Sequence, residues 1–400
     1  MKIMYINDVG FDTPNSNNHL VLSMLKQFLE DGNSVYYVGS HSTGIYSDIP
    51  QELSSSSNFT FDIVDKKVIN RSSFVKRYLT AIRYEFAAKK QWKKRIREID
   101  IVIVQSHYSA FFTFLLLKRY NKKLVFNIYD IFPGTSFEAS GIPSRLVYHV
   151  FSFLQQFIYK TTKRVFTLTE DTKQSLISLG VAKEKIEIIP NWFDSKAIRR
   201  QEYNSFLKEF SLDPQKKYIQ YAGQIGVSYD FKFIINVADY LRDRDDIVFE
   251  FVGEGLYLSE LKEETQNRGL ANVRFIPWQP LERLSEVYSS CTLQMIPLKG
   301  DIIFNSYPSK ILPLMGCKRT AVISVDDNSF FYREMNENRL ACCVPLNDVK
   351  AFSRAIVELC DNDQLRSEYE DNAYKYVIKK YTAHANIKKM LKVFTDMMEE

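Results

Sequence analysis

The apolar positions of this chain form short unbroken runs that alternate with longer stretches of helical period. Residues 1–6 read as a buried strand. A polar loop over 7–18 follows, residues 19–31 are apolar along one helical face and close at Gly32, and 34–38 read as the next strand. Strand, helix, strand in that order implies a parallel pair joined by a crossover. The alternation goes on through strand 101–105, helix 109–120, strand 124–129, a helical stretch over 144–162, strand 164–168, helix 171–179 ending at Gly180, and strand 186–189 stopped by Pro190.

A polar segment over 194–217 reads as a connection, and a second alternating series begins after it. Its strands are expected at 218–221, 247–252, 273–276, 293–296 and 321–324. Its helices are expected at 231–241, 258–268, 281–288 and 309–315, with helices again over 349–400. The pattern predicts an α/β chain of two Rossmann-like halves facing across a cleft. Ligands of such sheets bind beyond the carboxyl ends of the strands. The length agrees, since 400 residues exceed one ordinary domain of roughly 150 residues.

Charge changes the picture in one place. Residues 71–98 carry ten basic side chains against two acids, Glu85 and Glu98, an excess larger than the +5 of the whole chain. Lys89, Lys90, Lys93 and Lys94 cluster around Trp92. A basic helix with aromatics suits an anionic membrane surface; a solvated helix face packed by its aromatics is the plainer reading, and nucleic acid is a third reading that leaves the two halves unexplained. The five cysteines form no C-x-x-C pair, which points to a reducing compartment and no structural metal. The opening residues lack the apolar core of a secretory signal, and no run approaches the ~18 apolar residues of a membrane span. The expected location is the cytoplasm, at most peripheral to the inner face of the cell membrane.

Several chemistries are excluded by absent motifs. There is no G-x-x-x-x-G-K-[ST], no H-E-x-x-H, no G-x-S-x-G, and no G-x-G-x-x-G after the first strand, which argues against P-loop kinases, zincins, α/β-hydrolases and ordinary dinucleotide oxidoreductases. The most informative stretch is Asn305-Ser306-Tyr307-Pro308-Ser309-Lys310. Pro308 suits a first helical turn. Tyr307, Ser309 and Lys310 would then bring a hydroxyl, an ammonium and free N–H groups to one point, as a diphosphate requires; an ordinary helix start with a surface lysine is the alternative. Gly223-Gln224-Ile225-Gly226 follows a strand in the same half, and its glycines permit close approach of a phosphate or sugar. Gly253-Glu254-Gly255 ends another strand, and Trp278 follows a third, where it is either a platform for a base or a buried structural residue.

With these fragments in place the chain resembles a known family. Tyr129-Asp130-Ile131-Phe132-Pro133, Leu168-Thr169-Glu170, the run IEIIPNWFD over 186–194, 221–226, 251–255, 272–277 and 307–310 look like the family-4 retaining glycosyltransferases of GT-B fold, in the bacterial surface-polysaccharide branch of colanic-acid and fucosamine-type transferases. The resemblance implies an acceptor domain over residues 1–193, completed by a C-terminal helix over about 380–400, and a donor domain over 194–379. It implies a UDP-, GDP- or dTDP-sugar donor, no cofactor or metal, and a glycan or polyprenyl-diphosphate-linked acceptor. The sequence departs from the family pattern at several points. Asn305 and Pro313 stand where many members carry a Glu-x7-Glu pair, Gln224 replaces the arginine of a Gly-Arg loop, Asp230 stands where a lysine is common, and Tyr129 precedes Asp130 where a catalytic histidine often falls.

The implied reaction is sugar transfer with retention, needing no protein nucleophile. Lys310, Ser309, Gly223 and Gly226 would stabilise the departing diphosphate, Asp130 or His107 would orient sugar or acceptor, and Asn15, Asn17 and Asn18 would close over the donor or simply cap a helix. The competing reading is a non-catalytic GT-B partner subunit of another transferase, which the missing glutamates, arginine and histidine favour.

Overall fold

The structure is a computed structural model that describes residues 1–11, 17–41, 49–66, 74–105, 110–131, 145–194, 197–202 and 205–400. It divides into two compact units. The first comprises Met1–Trp192, Asn305–Tyr307 and Ala383–Glu400; the second comprises Phe193–Phe304 and Pro308–Thr382.

The first unit holds a seven-stranded parallel sheet ordered β3-β2-β1-β4-β5-β6-β7. The strands are β1 (Lys2–Ile6), β2 (Ser34–His41), β3 (Phe59–Asp65), β4 (Ile101–Gln105), β5 (Lys123–Asn127), β6 (Arg164–Thr167) and β7 (Ile186–Ile188). β4, reading IVIVQ, is buried at every position, as a central parallel strand covered by helices on both faces must be. One face is filled by Trp92, Phe114, Phe126 and Ile158. The other is filled by Leu25, Phe28 and Phe166, together with Ile387, Met390, Phe394 and Met397 of the helix Ala383–Glu399. The 3, 4 and 3 spacing of those four residues gives this last helix its apolar stripe.

The second unit holds a six-stranded parallel sheet ordered β10-β9-β8-β11-β12-β13. Its strands are β8 (Lys217–Ala222), β9 (Ile247–Val252), β10 (Val273–Ile276), β11 (Leu293–Pro297), β12 (Ala321–Ser324) and β13 (Cys342–Val344). Two Rossmann-like sheets are therefore present, as the alternation of apolar runs predicts. The polar segment before β8 is not a bare connection. It contains the helix Ser205–Glu209, whose Phe206 is fully buried and packs on Phe210 at 4.6 Å between ring centroids. Backbone N–H groups of Arg199 and Gln201 donate to the hydroxyls of Ser285 and Ser289, so the segment is fastened to the second unit.

All five thiols are reduced, and four are buried. Burial pushes Cys291, Cys317 and Cys360 up to about 12. No helix among the described residues is long and apolar enough to cross a membrane.

Phe394 is fully buried between Phe28 and Phe166, each ring at 5.8 Å. Phe394→Ala is expected to cost about 3–5 kcal/mol in the urea transition of the first unit. A loss below about 1 kcal/mol would show that the last helix does not depend on this contact.

Candidate functional site

The loops beyond β8, β9 and β10 lie at the carboxyl edge of the second sheet and are stitched to one another. Gly223 N–H donates to Val252 O at 2.9 Å, Ile225 N–H to Glu254 O at 2.7 Å, and Gly253 N–H to Ile276 O at 3.0 Å. The glycines make this approach possible. A Cβ on Gly253 would lie 2.0 Å from Gly223 O, and one on Gly255 would lie 2.3 Å from Ile225 O. Gly226 differs, since a Cβ there would make only ordinary contacts with Gln224. Gln224 and Glu254 are exposed, and the Gln224 carbonyl accepts from Tyr221 Oη at 2.5 Å.

Gly223 also makes room for Lys310. Its φ is +133°, in the region that favours glycine, and a Cβ would sit 2.5 Å from Lys310 Cε. The lysine passes over that bare backbone and ends between two tyrosines. Its Nζ donates to Tyr229 Oη at 3.1 Å and stands 4.4 Å from the Tyr229 ring centroid and 5.0 Å from that of Tyr221. Those rings meet edge to face at 5.3 Å. The loop carrying Tyr229 is fixed to the end of β11: Asp230 N–H donates to Pro297 O at 2.8 Å, Lys299 N–H donates to Ser228 O at 3.1 Å, and Tyr229 bridges to Leu298. Asp230 caps the helix Phe231–Tyr240 by accepting from Phe233 N–H, which gives a structural duty to the residue standing where the family often has a lysine.

The helix after Lys310 starts later than the sequence predicts. It spans Ile311–Gly316, with Lys310 at its N-cap and Ser309, exposed, in the turn before it. Pro308 lies outside the helix, and its carbonyl accepts from Ile311 N–H at 3.1 Å. Pro313 is the third helical residue, where its missing N–H leaves no bond unmade. Lys310 thus acts here through its ammonium, and a six-residue helix adds little dipole.

In the first unit Asp130 follows β5. Its side chain is open to solvent, yet protein atoms crowd it, and that loss of water raises its pKa above the ordinary aspartate value; a hydrogen bond from Ser306 draws it partly back. Ile131 N–H donates to Asn305 O at 2.9 Å, so Asn305 and Ser306 serve this loop. Asn17 occupies a helix N-cap without a side-chain capping bond, and Asn18 Nδ2 donates to the carbonyls of Gly10 and Phe11, each at 3.4 Å. His107 and Asn15 lie outside the described residues. Tyr307 is buried, while Trp278 is half exposed, so it is no core residue.

One sequence expectation is corrected. Trp92 is fully buried, with its ring edge-on to Tyr120 at 5.8 Å, so it cannot meet a membrane. Lys90, Lys93 and Lys94 are exposed, and Lys89 is half buried. Among the described residues no group of three His, Cys, Asp or Glu side chains is placed to hold a metal ion.

Two parallel Rossmann-like sheets, with a cation set among glycine loops at a carboxyl edge, define the class of GT-B glycosyltransferases. The profile described as Glycosyltransferase Family 4 matches residues 18–197, and that of Glycosyl transferases group 1 matches 204–376. The chain belongs to the family-4 glycosyltransferases of GT-B fold. It is 26% identical to the putative colanic acid biosynthesis glycosyl transferase WcaI of Escherichia coli K12 over 200 residues, which span 48% of each chain. It is 21% identical to the probable glycosyltransferase WbjE of Pseudomonas aeruginosa over 78% of this chain and 81% of that one. In fold it is similar to Anabaena HepE in complex with UDP, with a TM-score of 0.76 at 11% identity, covering 99% of this chain and 100% of that one. It is likewise similar to WaaG, a glycosyltransferase of lipopolysaccharide biosynthesis, with a TM-score of 0.71 at 12% identity over 98% and 99% of the two chains.

The loop stitching is open to test. Gly253→Ala forces a methyl into the Gly223 carbonyl and is expected to lower stability by about 2 kcal/mol or more. Thermal unfolding unchanged from wild type would mean the two loops can part freely.

Proposed function

We propose that the protein transfers a sugar, with retention at the anomeric carbon, from a nucleoside-diphosphate sugar to a glycan or lipid-linked glycan in bacterial surface-polysaccharide synthesis. The observation that carries the reading is the Lys310 ammonium, set by Tyr229 and Tyr221 over Gly223. A relative described as a putative colanic acid biosynthesis glycosyl transferase and structural neighbours solved with UDP or UDP-glucose support the substrate class.

In this mechanism the bond between the anomeric carbon and the phosphate oxygen breaks, and negative charge collects on the departing diphosphate. A cation held beforehand at that point stabilises the transition state more than the ground state. The acceptor hydroxyl attacks from the face the diphosphate leaves, forms the new glycosidic bond and passes its proton to the phosphate oxygen, so no protein nucleophile is consumed. Lys310 supplies the positive charge that a divalent ion would otherwise supply, so the reaction is metal-independent. The half-buried Gly226 backbone and the exposed Ser309 hydroxyl offer hydrogen bonds to the diphosphate, Trp278 offers a face to the base, and Asp130 orients sugar or acceptor. The enzyme works in the cytoplasm at an anionic membrane face, where a polyprenyl-diphosphate-linked acceptor is presented.

Lys310→Ala is expected to lower kcat by about 10²–10³-fold, the range for losing one preorganised charge partner, with thermal stability nearly unchanged. Turnover of UDP-, GDP- and dTDP-sugars, with and without EDTA, measures this, and anomeric coupling constants of the product report retention. Full turnover in the variant would remove the diphosphate role. A wild-type chain that binds donor but turns over none would restore the non-catalytic partner reading.

A further inference from the structure

Three helices lie side by side on one face of the first sheet: Phe74–Trp92 leading into β4, Ala110–Leu117 joining β4 to β5, and Arg145–Thr161 joining β5 to β6. Right-handed crossovers in that strand order place all three together. Their outer surface is apolar at its centre. Leu79 is 52% exposed, Phe86 48%, Leu115 42%, Val150 50% and Phe153 74%. Phe86 meets Phe112 of the middle helix at 5.7 Å, tying the first two helices into one surface. That middle helix reads AFFTFLLL, and its single polar residue, Thr113, is turned inward to donate to buried Glu85.

The charges are nearly all of one sign. Glu85 is the sole acid in the three helices, and it is buried. Among the described residues, Arg83 apart, the exposed basic side chains of this face lie at the helix C-termini: Lys90, Lys93 and Lys94 at the end of the first, Lys118 and Arg119 after the second, and Lys160 on the third. Leu79, Arg83, Phe86 and Lys90, spaced by 4, 3 and 4, form one outward stripe, and all four are exposed. Scattered exposed apolar residues need no explanation, but a contiguous set with a basic border marks a binding surface.

We infer that this three-helix face docks on an anionic lipid bilayer, with Leu79, Phe86, Leu115, Val150 and Phe153 entering the interface and the lysines meeting the headgroups. With no exposed acid within the three helices, the face selects a surface of negative charge, and side chains aimed outward from three parallel helices suit a flat, fluid partner. The helices start near the carboxyl ends of the strands, the edge that carries Asp130, and end with the lysines at the opposite edge, so the apolar part of the face is the part that reaches toward the place where a lipid-linked acceptor would enter. That last step rests on the glycosyl-transfer reading; the docking itself does not.

The test is co-sedimentation of the full chain with vesicles of phosphatidylcholine alone or with about a third phosphatidylglycerol. Wild type is expected to bind the anionic vesicles and to keep part of that binding in 0.5 M NaCl, where exposed charges are screened. The triple variant Lys90→Gln, Lys93→Gln, Lys94→Gln is expected to lose on the order of 100-fold in affinity. Phe86→Ser with Phe153→Ser is expected to lose about tenfold or more, with the residue of binding abolished by salt. Both carry surface changes, and circular dichroism checks their fold. Both should keep wild-type turnover of a short water-soluble acceptor, which separates a docking failure from a failure of the enzymatic reading. Wild type that ignores anionic vesicles, or variants that bind as wild type, would overturn the proposal. So would a wild-type dimer by light scattering that becomes monomeric in the phenylalanine variant, which would assign the face to a second copy of the chain.

Discussion

A lysine held at one point has four rotatable bonds to keep still, at a cost of about 2 kcal/mol of side-chain entropy. In this protein Gly223 and two tyrosine rings bear that constraint before any ligand arrives. The bare Cα of Gly223 lets the lysine stem lie flat on the β8 loop. The rings of Tyr221 and Tyr229 then fix its ammonium by charge–quadrupole attraction and one hydrogen bond, each such contact worth about 0.5–2 kcal/mol. The remaining loops follow from this placement. Gly253 is needed because Gly223 must come close to β9, and the β11 end is drawn in because Tyr229 must be held. A substitution at Gly223, Gly253 or Tyr229 therefore reaches the same ammonium by three routes.

How much of this was legible beforehand depended on range. Buried parallel strands announce themselves, as β4 does with IVIVQ, because both faces are covered and no polar alternation is allowed. Of the four edge strands, β7 and β10 were legible, and β3 and β13 were not. β3 reads FTFDIVD, half exposed, and β13 has only three residues, so neither carries enough apolar signal. The segment before β8 looked polar because, among its described residues, only Phe206 and Leu212 are buried. Lys310 stood out through its neighbours Pro308 and Ser309, a local pattern. Tyr229 lies 81 positions away in sequence from the lysine it holds, and no local pattern reports such a contact.

The basic segment gives the opposite lesson, since the information was present and composition obscured it. Ala81, Tyr84, Glu85, Ala88 and Trp92 fall on one helical face, while Leu79, Arg83, Phe86 and Lys90 fall on the other. The first set is buried and the second exposed. Counting lysines and aromatics together merged two faces with different duties. The 3.6-residue period separates Trp92, which fills the core, from Phe86, which meets whatever lies outside.

The tyrosine cradle also decides what kind of cation Lys310 is. Salt-bridging to a carboxylate would hold it with a full opposite charge, and a diphosphate would have to displace that partner. Aromatic rings and a neutral hydroxyl offer no net negative charge, so the ammonium keeps its full positive field toward an incoming anion. Its attraction to the rings is also smaller than a charge-assisted bond to phosphate. The lysine is thus ordered without being neutralised. A carboxylate in place of Tyr229 would hold Lys310 more tightly and leave less of its field for an incoming anion, so under the proposed glycosyl transfer firmer anchoring and weaker stabilisation of the diphosphate would come together.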